Sequence, residues 1–196
     1  HVGFILGNHV RTLFMGLTNA YLIRVPNFGK LKRYYQLATR FSSILALAAD
    51  MTMASVGADL KRKESLSGRL ADMVSSLYMV TSVLKYYSST PVEERDEVEE
   101  LIAKWVCLDL FKMFERQLHD LLLNLPNRFV AFYLRCFCLP LGRFLNNPTD
   151  NLMQKITSAM MKPNKLREKF KQYVAGFLVE DSMVSAAERI FEDAVT

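Results

Sequence analysis

Few residues in this chain have the types and spacing that chemistry requires. Glu115 and His119 stand four apart, which puts them on one face of a helix. A di-metal helical bundle uses such pairs, but it needs Glu-x-x-His on two helices and further carboxylates. The second motif is missing, so an exposed ion pair between Glu115 and His119 is expected. Cys136 and Cys138 form C-x-C inside "FYLRCFCLPL". Two residues apart on a helix do not face each other. With Cys107 they make an odd count of three, so buried structural thiols in a reducing compartment are expected, not a metal pair or a disulfide framework. Tyr34/Tyr35 and Tyr86/Tyr87 flank basic residues, a pattern that suits base stacking. The plainer expectation is one ring of each pair on the core and the other toward solvent. No Walker loop, dinucleotide fingerprint, H-E-x-x-H or G-x-S-x-G motif occurs. The sequence therefore offers no catalytic residue and no metal site.

The remaining candidate is an anion or interface patch: Lys61, Arg62 and Lys63 in "VGADLKRKESLSGRLADMVSSLY", with Arg69 nearly two turns on. The triplet lies between two long apolar runs. It suits a solvated helix corner, a phosphate, a lipid headgroup or a partner acid. Charge is unevenly spread. Residues 1–69 hold ten Lys/Arg and three Asp/Glu, whereas residues 91–120 hold four and nine. Complementarity within or between chains is the default expectation, and no nucleic-acid partner is expected.

The elements that must carry these residues read as helices. Hydrophobic residues make up 51% of 196, enough for a sizeable core, and eight Gly and six Pro are too few for an all-β fold. An apolar helix over 1–24 closes at "RVPNFG". From Lys30 to about Leu60, apolar residues step by three and four from Leu31 through Met51, a helix of about 45 Å. A second runs from Glu64 to Tyr87. Pro91 is expected to open a third with an acidic first turn. A fourth spans 126–139, and Thr149 and Asp150 are expected to cap a short helix to Met161. Leu70, Met73, Leu77, Trp105, Leu108 and Leu118 are expected in the core. Uncharged runs such as "TLFMGLTNAYLI" fall short of a membrane span. The start "HVGFILGNHV" has neither an initiating Met nor a charged n-region, so the chain reads as a piece of something longer. The fold class is all-α: long antiparallel helices in a bundle, with a short helical tail.

Four stretches carry a family resemblance. "YYQLATRFSSILALAADMTMASVGADLKRKESLSGRLADMVSSLYMVTSVLKYY" (34–87) resembles the C-terminal extension of the large bacterial acyl-CoA dehydrogenases of fatty-acid degradation. "VGF…VRTLFMGLT" (2–18) is similar to the segment that follows the family's catalytic domain. "LLLNLPNRFVAFYLRCFCLPLGR" (121–143) and "NPTDNLMQKI" (147–156) match two further elements in the same order. The match covers about residues 1–160 and is poor from Met161. Where the family has paired glycines before the basic corner, this chain has Gly57-Ala58, which suggests a helical backbone there.

The resemblance implies that the whole enzyme binds FAD and removes a proton and a hydride from acyl-CoA, with its carboxylate base and most flavin contacts upstream. No catalytic residue maps onto this chain, and no cofactor is expected in it. The implied division is a helix over 1–24 continuing from an upstream dehydrogenase domain, a bundle over 25–145, and short helices with a variable tail over 146–196. The implied role is a structural or interaction domain of a long-chain acyl-CoA dehydrogenase in the first step of β-oxidation. Its implied partners are the upstream domain and further copies of itself. The implied place is the cytoplasm, with peripheral inner-membrane contact left open. The alternatives are a membrane-surface or lipid-binding module and a helical protein-interaction bundle.

Overall fold

The computed structural model describes residues 2–25, 29–142, 145–162, 164–171 and 183–195. Among them are eight α-helices and no strand: α1 (Val2–Leu17), α2 (Lys32–Val56), α3 (Glu64–Ser89), α4 (Glu97–Asn124), α5 (Arg128–Cys138), α6 (Asp150–Met160), α7 (Lys165–Lys171) and α8 (Met183–Val195). The all-α reading holds, with three long helices where four were expected. The fourth, α5, has only 11 residues.

The core follows from periodicity. On α2, Leu37, Phe41, Ile44, Leu47 and Ala48 share one face and are buried. On α3 the buried apolar residues Leu66, Met73, Val80 and Tyr87 recur every seven residues, with Leu84 beside them. That seam packs along α4, which presents Ala103, Cys107, Leu110, Phe114, Leu118 and Leu121, in the most extensive helix–helix interface of the molecule. Phe41 sits where α2 meets α4. Its ring stacks on Phe111 at 4.8 Å and meets Phe114 edge-on at 4.7 Å. Met73 and Leu118 are fully buried, as expected. Leu70 and Leu77 are half-buried, because the seven-residue seam passes between them. Trp105 and Leu108 are also half-buried, since they lie on the flank of α4 away from α3.

Helix boundaries follow local chemistry. Pro91 does not open α4. It precedes a single 3-10 turn at Val92–Glu94, and Asp96 caps α4 by accepting from the Val98 amide at 3.1 Å. Thr149 caps α6 as expected, accepting from the Leu152 amide at 3.3 Å. Gly57 ends α2 with φ +58°, a left-handed conformation that favours glycine, so the α-helix is interrupted at Gly57 itself. Ala58 falls in the 3-10 turn that follows.

A window within Gly29–Lys61 has a mean hydropathy of 1.4, long and apolar enough on length and composition for a membrane span. The uncharged runs had suggested none. A window average tolerates the single charge of Asp50, which breaks the uncharged run. Leu37, Phe41, Ile44, Leu47 and Ala48 are nevertheless spent on the bundle core. Arg40 is also buried, in contact with other helices of the chain.

Candidate functional site

The corner between α2 and α3 carries the patch read from the sequence. Lys61 and Arg62 are exposed, while Lys63 and Arg69 are half-buried. Arg62 forms an ion pair with Asp59, and Arg69 donates to the Ser65 carbonyl at 3.2 Å. The corner is therefore less bare than four free cations. Arg62's charge is met within its own turn.

The acidic segment has its own partners. Glu99 and Glu100, at the start of α4, are both buried. Glu100 takes Lys104 at 2.6 Å and Lys30 at 3.3 Å, and accepts from Tyr87 at 3.5 Å. Glu99 takes Lys169 of α7 at 3.0 Å. Complementarity between the basic and acidic segments is thus met within the chain, by Lys30. Burial pushes the Glu100 carboxyl up, but its bonds to Lys104 and Lys30 outweigh this and leave it below the ordinary 4.5. A depressed carboxyl contributes stability above its unfolded value and loses it as pH falls through the folded one. Glu100→Gln should therefore lower the urea midpoint at neutral pH and flatten the loss of stability below pH 4.5. An acid limb unchanged from wild type would refute this.

Glu115 does not pair with His119 on the surface. Glu115 is buried and bonds Lys112 at 2.9 Å, and Lys112 also donates to the Leu145 carbonyl at 2.9 Å. The helix phase turns Glu115 into the bundle, and His119 lines a separate groove against α5. The thiols divide similarly. Cys107 and Cys138 are buried, with burial pushing Cys107 up to about 12, but Cys136 is exposed because α5 has one solvent face. Tyr87 is buried and Tyr86 exposed, as expected of a split pair. Tyr34 and Tyr35 are instead both half-buried against the core, and Tyr35 donates to the Leu84 carbonyl at 2.7 Å. No cluster of three or more metal-ligating side chains occurs among the described residues.

Three of the four family-like stretches converge in space. After α1, Asn19 and Ala20 are both left-handed, at φ +47° and +58°, and Ala20 is fully buried. Such a conformation costs about 1–2 kcal/mol per L-residue. A polar stripe on α2 holds it in place. Arg33 donates to the Asn19 carbonyl at 2.8 Å. Gln36 donates to the carbonyls of Tyr21 and Ile23 at 3.0 and 3.1 Å. Arg40 donates to Asn19 Oδ1 at 2.6 Å and to the Cys138 carbonyl at 3.4 Å, tying α1, α2 and α5 together. Burial, with Arg33 nearby, lowers Arg40 to about 10, still cationic at neutral pH. Gly16 belongs to the same junction. A Cβ there would come within 2.7 Å of the Pro140 ring, so α1 approaches the end of α5 only as glycine. Sequence reasoning missed this clamp. Its signal was the spacing 33, 36, 40 of polar residues on a face next to the apolar one.

The turn "LPNR" is equally local. Asn127 caps α5 through the Phe129 and Val130 amides at 3.0 and 3.3 Å, and Arg128 reaches back to the Leu123 carbonyl at 2.9 Å, capping the end of α4. These motif residues serve architecture.

No solved structure matches the chain. A family model described as "Acyl-CoA dehydrogenase, C-terminal, bacterial type" matches residues 1–196, so the likeness extends through the tail that had seemed to match poorly. On that match, over its whole length, the chain belongs to the bacterial-type acyl-CoA dehydrogenase C-terminal family.

Proposed function

We propose that this chain is the accessory helical domain of an FAD-dependent dehydrogenase that acts on long-chain acyl-CoA in the first step of fatty-acid β-oxidation. Its work is to pack against the catalytic region and against further copies of the enzyme. The observation that carries this reading is the family membership together with an uncovered stripe on α1. Val10, Phe14 and Leu17 recur at steps of four and three and are 47–63% exposed, and Tyr21 and Leu22 in the turn beyond are 64% and 68% exposed. Apolar side chains at that spacing favour a helical partner. We place the enzyme in the cytoplasm, where three free cysteines suit a reducing compartment.

The groove between α4 and α5 does not suit a flavin. It presents leucines, a phenylalanine and cations, with no carboxylate or amide side chain among its described lining to accept from the flavin ring or the ribose hydroxyls. The buried carboxylates Glu99, Glu100 and Glu115 are each held by a lysine inside the bundle. The flavin and the base that takes the substrate proton therefore belong to the catalytic region in this reading. The test compares the complete enzyme with the isolated chain. The isolated chain should purify colourless and should not reduce a dye with acyl-CoA. Near-stoichiometric yellow flavin on it would overturn the reading.

The exposure of Lys61 favours a second reading, a peripheral contact with anionic lipid at the corner. Each cation would contribute about 1 kcal/mol, weakened by salt. The triple variant Lys61→Glu, Arg62→Glu, Lys63→Glu separates the cases. Lost sedimentation with anionic liposomes supports the membrane contact. A lower assembly mass at unchanged liposome binding supports a subunit interface. No change in either leaves a solvated helix corner.

A further inference from the structure

The groove between the end of α4 and α5 combines an apolar wall with a set of basic side chains. It has a volume of about 500 Å³, with Leu122, Leu123, Phe132 and Leu139 as apolar lining. Phe132 and Leu123 remain 69% and 54% exposed, so much of this surface is left in water. His119, Arg128 and Arg135 line the same groove, and no described lining residue carries a carboxylate. Arg128 and Arg135 are seven residues apart on α5, two turns or about 10 Å. The Arg128 guanidinium is held in place by the Leu123 carbonyl at 2.9 Å. The side chains of Arg135 and His119 have no hydrogen-bond or ion-pair partner among the described residues. Elsewhere in this chain buried carboxylates meet lysines, as Glu99, Glu100 and Glu115 do. Here two arginines gather with no acid among the described lining residues.

We propose that this groove binds a single-chain anionic amphiphile, its carboxylate or phosphate head on Arg135 and Arg128 and its alkyl chain along Leu122, Leu123 and Phe132. Charge complementarity selects the sign of the head, because guanidinium groups bond oxyanions in paired, charge-assisted contacts. Shape selects a single chain in solution over a bilayer surface. The site is concave, and its volume falls within the roughly 300–1,000 Å³ of small-ligand sites. The inference rests on the groove alone and stands apart from the family's chemistry.

The experiment is calorimetric titration of the full chain with dodecanoate below its micellar range. Dodecyl phosphate, dodecyltrimethylammonium and phosphatidylglycerol vesicles form the other arms. Saturable one-to-one binding of dodecanoate or dodecyl phosphate is expected, and which of the two binds more tightly identifies the head. The ammonium amphiphile should not bind. Arg135→Gln should weaken binding about tenfold through loss of a charge-assisted contact. Leu123→Gln should also weaken it, because it places a polar group on the apolar wall. Both positions are exposed, so the helical circular dichroism should be unchanged. Equal binding of the cationic amphiphile, unchanged affinity in both variants, binding to vesicles alone or no saturable heat would each overturn the proposal. The comparison of head charges on the unmodified chain decides the matter even if a variant fails to fold.

Discussion

Phe41→Ala should destabilise the chain by about 3–5 kcal/mol, the range for emptying an aromatic site in a packed core. Phe41 is 1% exposed and has ring partners on one long helix, Phe111 and Phe114. Removing it deletes apolar contact area and two ring–ring contacts together, and neither neighbour can fill the space without leaving its rotamer. The urea midpoint should fall with little change in slope, the mark of a stability loss without a change in the surface exposed on unfolding. Phe41→Leu should lose less, because it refills most of the volume. An unchanged midpoint for Phe41→Ala would show that α2 does not pack on α4 through this residue.

Arg40→Met should cost about 3 kcal/mol, for a different reason. The side chain keeps an unbranched apolar stem but loses its charge and donors. The cost of breaking a buried charged contact comes mainly from the partner left behind. Here the partners are Asn19 Oδ1 and the Cys138 carbonyl. A second change, Asn19→Ala, removes one of them. The double variant should therefore lose less than the sum of the singles, by more than the few tenths of a kcal/mol seen for independent sites. Strict additivity would show that Arg40 does not hold the turn after α1. The arginine's own ionisation gives no pH signature near neutrality, since it stays charged up to about pH 10.

These two residues also show what the sequence revealed and what it did not. Phe41 was legible because the period of α2 put it in register with Leu37, Ile44 and Ala48. The same logic marked Met73 and Leu118. Trp105 and Leu108 were misjudged because they step by three and four along the apolar stripe that leads to Leu118, whereas the buried face of α4 starts from Ala103, Cys107 and Leu110 and leaves them on its flank. Pro91 was read as a helix opener from a propensity that Asp96, five residues later, meets better with a side-chain cap. Glu115 misled in the opposite direction. A charged residue four from a histidine suggests a surface pair, and only the packed bundle shows that its phase points inward to Lys112. The basic corner was visible as composition, but the Asp59 that meets Arg62 was read only as part of the helix running to about Leu60. The groove beneath α5 was out of reach, since it depends on the angle at which the turn after Leu125 sets one helix against another. Arg40, Asn19 and Cys138 were likewise separate letters until the fold brought them together.

The bond from Arg40 to the Cys138 carbonyl joins residues 98 positions apart, and this bears on the order in which the protein can be made. During synthesis, α1, the turn at Asn19 and α2 leave the ribosome long before α5 exists. The arginine at the middle of α2 then has Asn19 to bond but no α5 to close over it, and it stays in water. The apolar face of Phe41 and Ile44 waits beside it, uncovered until α3 and α4 follow. The first half of the nascent chain is therefore a sticky intermediate, of the kind that holding chaperones recognise. A ribosome paused just before α5 should carry a protease-sensitive hairpin, and the chain should become resistant only once Cys138 has cleared the exit tunnel.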